Sequence, residues 1–193
     1  MALHAFGVSP DGTTVTEARL ALPSGMAASI IDRGAVVRDL QIPVADGGRR
    51  RVVLGFRDVA GYLDDQSHVG ALAGRHANRI GGGRFELDGT VHQLTLNERG
   101  RSHLHGGIMG FGRRPWRMVG HDDASVVLAL TSPAGEEGYP GTLEARCLYR
   151  LVPPATLRIV MTATTDAPAC RSKRSLKAGS ARSDTSRYDS PPR

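Results

Sequence analysis

Three short stretches of this 193-residue chain gather side chains able to bind polar ligands or move protons. The first, GRHANRIGGGRF (residues 74–85), sets an amide, Asn78, beside a guanidinium, Arg79, ahead of three glycines. Phosphate-cradling loops of this composition lead into a helix, whereas an alternating strand pattern follows here. The pair is therefore read as an amide and a fork able to meet vicinal hydroxyls of a polyol, set against the simpler reading of a structural turn. The second stretch, RSHLHGG (residues 101–107), holds His103 and His105. On a strand the H-x-H spacing turns both imidazoles to one face, the beginning of a metal site, but no third ligand follows at a useful spacing. One histidine beside the Gly106-Gly107 turn suits hydrogen bonding or proton handling better, because imidazole titrates near neutrality. The third, SPAGEEGYPG (residues 132–141), offers Glu136 and Glu137 as a carboxylate pair of the kind that flanks a glycosidic bond. Neighbouring residues of an extended chain point apart, so this stretch reads as a structural loop.

The segments that must position these groups look like strands, short apolar and β-branched runs between Gly, Pro, Asp and Asn. The runs are TVTEARLAL from Thr14, MAASII from Met26, AVVRDLQI from Ala35, RVVLGF from Arg51, SVVLALT from Ser125, LEARCLYRLV from Leu143 and TLRIVMTATT from Thr156. In the last, Leu157, Ile159, Met161 and Ala163 alternate with polar or smaller neighbours, which predicts one buried face. Asp88-Gly89 separates two alternating runs and predicts a hairpin closed by a type I′ turn. Only DVAGYLDD from Asp58 suggests a short helix. The expected fold is all-β, an antiparallel sandwich.

Composition sets outer bounds. Apolar residues make up 40% and charged residues 23% of the chain, and no run approaches the roughly 18 apolar residues of a membrane span. No basic segment followed by an apolar one opens the sequence, so a cytoplasmic location is expected. Cys147 and Cys170 form neither a disulfide framework nor a C-x-x-C pair. The net charge of +6 is uneven: residues 170–193 hold seven Lys or Arg and two Asp, leaving 18 basic and 17 acidic groups elsewhere. That tail has Leu176 as its one large apolar side chain and is expected to be disordered in isolation. Residues 1–169 are expected to form the folded domain.

Taken in order, VVLGFRDVAGYLDD from Val52, the stretch from Gly70 to Trp116 containing GRHANRIGGGRFELDG and SHLHGG, and SPAGEEGYPGTLEARCLYRL from Ser132 resemble the aldose 1-epimerase (galactose mutarotase) family. GMAASIIDRGAVVRDLQIP resembles the family's first strands. The resemblance implies a large antiparallel β-sandwich of the mutarotase type. It further implies a cleft for an aldohexose such as galactose or glucose, and anomer exchange without metal or organic cofactor. In that family a carboxylate takes the proton of the anomeric hydroxyl while a histidine protonates the ring oxygen, which is general acid–base catalysis. ANRI places the family's sugar-binding Asn and Arg at Asn78 and Arg79, and LHGG places its sugar-binding His at His105. No role is carried onto His103.

The family's acid histidine lies in an N-H-x-Y-F-N segment after a stretch like TTDAP, where this chain reads ACRSKRSLKAGS. The last His is His121 and the last Glu is Glu144, so the acid His and the base Glu have no counterpart, and Asp184 and Asp189 stand in unrelated surroundings. The expectation is a sandwich incomplete at its C-terminus, with a break near Ala169 from a frameshifted or mispredicted end, a partial aldose-binding surface and little or no epimerase activity. Two other functions fit the residues: a non-catalytic carbohydrate-binding protein, and an acidic-partner binder acting through the tail. Nucleic acid is the least expected partner, because Tyr188 is the tail's sole aromatic residue.

Overall fold

The computed structural model describes residues 3–168. Five strands, β1 (Leu3–Val8), β2 (Thr14–Ala21), β3 (Ala27–Ile31), β4 (Val36–Pro43) and β5 (Arg49–Arg51), form one antiparallel sheet in chain order. Two ribbons follow: β6 (Arg79–Gly81) pairs with β9 (Ser102–Leu104), and β7 (Arg84–Leu87) pairs with β8 (Thr90–Gln93). A second antiparallel sheet, again in chain order, contains β10 (Arg117–His121), β11 (Ser125–Ser132), β12 (Leu143–Val152) and β13 (Thr156–Thr165). The expectation for residues 170–193 lies outside the described residues.

The sandwich follows from period-two patterning. Ala145, Cys147, Tyr149 and Leu151 of β12 are all buried, while Glu144, Arg146 and Arg150 between them are exposed. With Val126, Leu128 and Leu130 of β11 they share one core with Ala18, Leu20, Ala28, Ile30 and Val37 of the first sheet. The buried Tyr149 hydroxyl crosses that core and donates to the Ala35 carbonyl at 2.6 Å. Burial also pushes the Cys147 thiol up to about 11, so it packs as an inert apolar group.

The outer face of the first sheet is covered as well. Val15, Ile31 and Val36 pack against Val59 and Tyr62 of the short helix α1 (Val59–Asp64), whose first turn is capped by the Asp58 carboxylate accepting from Gly61 N at 3.0 Å. Two residues along β2 from Val15 stands a fully buried carboxylate, Glu17, held by Arg19 and Arg38 at 2.6 Å each. Arg38 in turn lies 4.9 Å from the centroid of the Phe6 ring.

The expected hairpin forms, with φ of 50° at Asp88 and 76° at Gly89, the two positive angles a type I′ turn requires. Two expectations need correction. RVVLGF does not form a strand: the pairing residues are Arg49–Arg51, and from Val52 the chain turns into a loop in which Leu54 is 80% exposed. Gly55 there lies so close to the Arg38 carbonyl that a Cβ would sit 2.1 Å from it. In β13, Leu157 and Met161 reach the core, but Ile159 is 48% exposed. β13 pairs with β12 along one edge only and is the outer strand of its sheet among the described residues, so its alternation is covered in part.

Burial opposes the charge of Glu17, yet the hydrogen bonds from Arg19 and Arg38 outweigh it and hold the carboxyl below its ordinary value of 4.5. A depressed folded-state value means that this group stabilises the fold at neutral pH and that the contribution is lost as pH falls through it. Glu17→Gln is expected to lower the urea midpoint at pH 7, with the gap to wild type closing as the pH is stepped down through the carboxylate range. A gap that stays constant with pH contradicts this. Arg38→Met leaves the buried carboxylate with Arg19 alone and is expected to cost about 3 kcal/mol at pH 7, the lower end for a broken buried pair, measured by equilibrium urea unfolding.

Candidate functional site

Asn78, Arg79 and His105 meet because of strand register. In the β6–β9 ribbon Arg79 pairs with Leu104 and Ile80 with His103, so the next positions outward, Asn78 and His105, face each other. They are joined twice: His105 N donates to the Asn78 carbonyl at 3.1 Å, and Asn78 N donates to His105 Nδ1 at 3.0 Å. Both residues have left-handed backbones, φ 70° and 51°, a conformation Asn tolerates better than most residues and one found often at functional sites. The Nδ1 lone pair being taken, the neutral ring carries its proton on Nε2.

Arg79 is fixed from the other side. Glu98 grips its guanidinium with both carboxylate oxygens, Nε donating at 2.6 Å, while Nη1 reaches Asn78 Oδ1 at 3.3 Å. The pairing lowers the Glu98 pKa and raises that of Arg79. Asn97, one residue earlier, pairs its side-chain amide with Leu104 in both directions: Nδ2 donates to the Leu104 carbonyl at 2.9 Å and Oδ1 accepts from Leu104 N at 2.7 Å. The result is an exposed amide, a guanidinium and a half-buried imidazole presented together on one surface.

The other two clusters support this surface. His103 does not share a face with His105, contrary to the H-x-H pattern on a regular strand, because the chain enters the left-handed region at His105. His103 is fully buried, its Nδ1 donating to the Thr95 carbonyl at 2.7 Å and its Nε2 accepting from the Tyr139 hydroxyl at 2.8 Å. Glu136 and Glu137 do engage different partners, but not because the chain is extended: they lie in a 3₁₀ turn, Glu136–Gly138, in which Glu137 is left-handed (φ 53°). Glu136 binds Arg114 at 2.7 Å and the Ser132 hydroxyl, while Glu137 accepts from Met109 N at 2.7 Å and so holds the loop after His105. Gly106 (φ 88°) allows that loop to run against the chain at Gly74: a Cβ on it would lie 1.5 Å from the Gly74 carbonyl oxygen.

Arg75 went unremarked in the sequence, yet it joins the first stretch to the third. Its guanidinium donates to the Ser132 hydroxyl (2.7 Å) and to the carbonyls of Ser132 (2.6 Å), Pro133 (2.8 Å), Pro140 (3.0 Å) and Gly141 (2.8 Å). Glu98 and Asn97 were missed as well. Nothing in the spacing of LNERG shows that its amide and carboxylate turn back onto Leu104 and Arg79. His68, also unremarked, sets its ring 4.9 Å from that of His105, the two planes tilted by 52°.

A model of the family described as aldose 1-epimerase matches residues 17–171. The aldose 1-epimerase of Escherichia coli K12 is 37% identical over 161 residues, covering 83% of this chain and 46% of that protein. Human galactose mutarotase is 37% identical over 148 residues, covering 76% and 42%. Among solved structures, an aldose epimerase homologue from C. elegans superposes with a TM-score of 0.76 at 29% identity, over 80% of this chain and 47% of that one. A galactose 1-epimerase from Lactobacillus acidophilus NCFM superposes with a TM-score of 0.74 at 25% identity, over 87% and 49%. The chain thus spans about half the length of the curated relatives it matches. It belongs to the aldose 1-epimerase family.

Proposed function

We propose that the protein serves the interconversion of α and β anomers of an aldohexose such as galactose or glucose, and that these 193 residues supply sugar-holding groups without the proton-transferring pair. The observation that carries the proposal is the double hydrogen bond between Asn78 and His105, with Arg79 locked beside it by Glu98. A pyranose presents vicinal hydroxyls that each donate and accept. Asn78 offers an amide, Arg79 a guanidinium edge and His105 an Nε2–H donor, all on one exposed surface. The relatives' names, aldose 1-epimerase and galactose mutarotase, support the same substrate class.

Anomer exchange needs a base at the anomeric hydroxyl and an acid at the ring oxygen. His105 does not fill both roles, because its Nδ1 is committed to Asn78 N and cannot pass a proton onward. Glu98, Glu136 and Glu137 are engaged with Arg79, Arg114 and Met109 N respectively. The chain on its own is therefore assigned sugar binding and not turnover. A cytoplasmic location is part of the same proposal. Among the described residues no helix is long and apolar enough to cross a membrane.

Two measurements test this. Isothermal titration of the full chain with galactose and with glucose is expected to show binding, and Asn78→Gly, which keeps the left-handed backbone while removing the amide, is expected to weaken it about five- to tenfold, the ~1 to 1.5 kcal/mol of a neutral hydrogen bond. Equal affinity in wild type and variant removes Asn78 from the site. Polarimetry on freshly dissolved α-galactose is expected to give a rate equal to that of buffer; a clear acceleration by the purified chain contradicts the assignment of binding without turnover.

A further inference from the structure

We propose that His68 is a positioning residue of the sugar site, acting through His105 by setting its ring against that imidazole and so favouring the neutral Nε2–H form that the Asn78 contact requires. The inference rests on the reading of His105 as a sugar ligand given above. Two imidazoles from distant parts of the chain, one in the loop after α1 and one at the end of β9, meet with ring centroids 4.9 Å apart and planes tilted by 52°. The meeting is built into the backbone on both sides. Ahead of His68, the Asp65 carboxylate accepts from Ser67 N and Val69 N at 2.7 Å each, and the His68 carbonyl accepts from Ala71 N at 3.1 Å. These bonds hold His68 at φ 56°, a left-handed conformation that His enters more readily than most side chains.

His105 needs a neutral ring for a geometric reason. Asn78 N points its hydrogen at Nδ1 from 3.0 Å, and a proton on Nδ1 would set two hydrogens against each other. Protonation therefore breaks one of the two bonds that orient the site. The charged and titratable groups facing His105 are His68 from the loop after α1, His76 from the loop before β6, Arg79 from β6 and Glu98 from the turn before β9. Glu98, the single carboxylate among them, is already held by both nitrogens of the Arg79 fork. Burial first, then His68 and Arg79, push the His105 pKa below its ordinary value of 6.5. The sign follows: as pH falls through that lowered value the ring protonates, the Asn78 bond is lost and sugar binding weakens. Removing the His68 imidazole raises the His105 pKa, so the weakening begins at a higher pH.

The test is an NMR pH titration of the His105 ring in the full chain, paired with galactose binding across the same pH range. His68→Asn suits a left-handed backbone and keeps the fold, while His68→Phe keeps a ring against His105 without a proton to gain. In both variants the His105 midpoint is expected to move to higher pH, and the acid limb of galactose binding to move with it. An unchanged His105 midpoint in both variants, with galactose binding intact, overturns the role of His68 alone. A wild-type chain that binds no galactose at any pH overturns the sugar reading and the inference with it.

Discussion

Around the guanidinium of Arg75 five acceptors from residues 132–141 close in, and the placement of the loops around Asn78 and His105 follows from that contact. Four of the five are main-chain carbonyls, one at the end of β11 and three in the Pro- and Gly-rich loop that follows it, where the Pro133 carbonyl also accepts from Glu136 N at 3.1 Å. Arg75 satisfies them together, and Tyr139 in the same loop lies 5.7 Å beneath the guanidinium carbon. Tyr139 then reaches His103, and His103 reaches the Thr95 carbonyl. One cation thus ties the Asn78 loop to the 132–141 loop, and that loop braces the strand whose next turn carries His105.

The sandwich supplies the rigid base for this arrangement. Its two meanders face each other through the shared core, and the first is covered on its outer face by α1 and the aromatic residues around it. The loop that supplies this cover continues directly to His68 and then to Gly70, whose carbonyl accepts from Val37 N of β4 at 3.0 Å. The segment that covers Val15, Ile31 and Val36 therefore also delivers an imidazole to the site. Stability of the first sheet and geometry at His105 share one stretch of chain.

Much of this was legible in the residues. Period-two runs marked β2, β11 and β12, Asp88-Gly89 marked a hairpin, and the family resemblance singled out three side chains that the register of β6 and β9 brings together. What stayed hidden depends on partners far away in sequence. Arg75 looks like any surface arginine until the 132–141 loop folds around it. RVVLGF has strand composition, but the glycine within it serves a close approach to the Arg38 carbonyl that no local pattern announces. His103 and His105 obey the spacing of a strand, and a single left-handed residue separates their fates, one sealed in the interior and one facing outward.

The side chain of Asn97 acts as a peptide group borrowed by the ribbon, offering one donor and one acceptor to Leu104 as a neighbouring strand would. Its orientation is dictated from both ends, since Leu104 presents a donor and an acceptor at once. An aspartate here would set two acceptors against a partner that needs one of each. The short ribbon carrying the Asn78–His105 contact is thus closed at its border by an amide that a carboxylate could not replace.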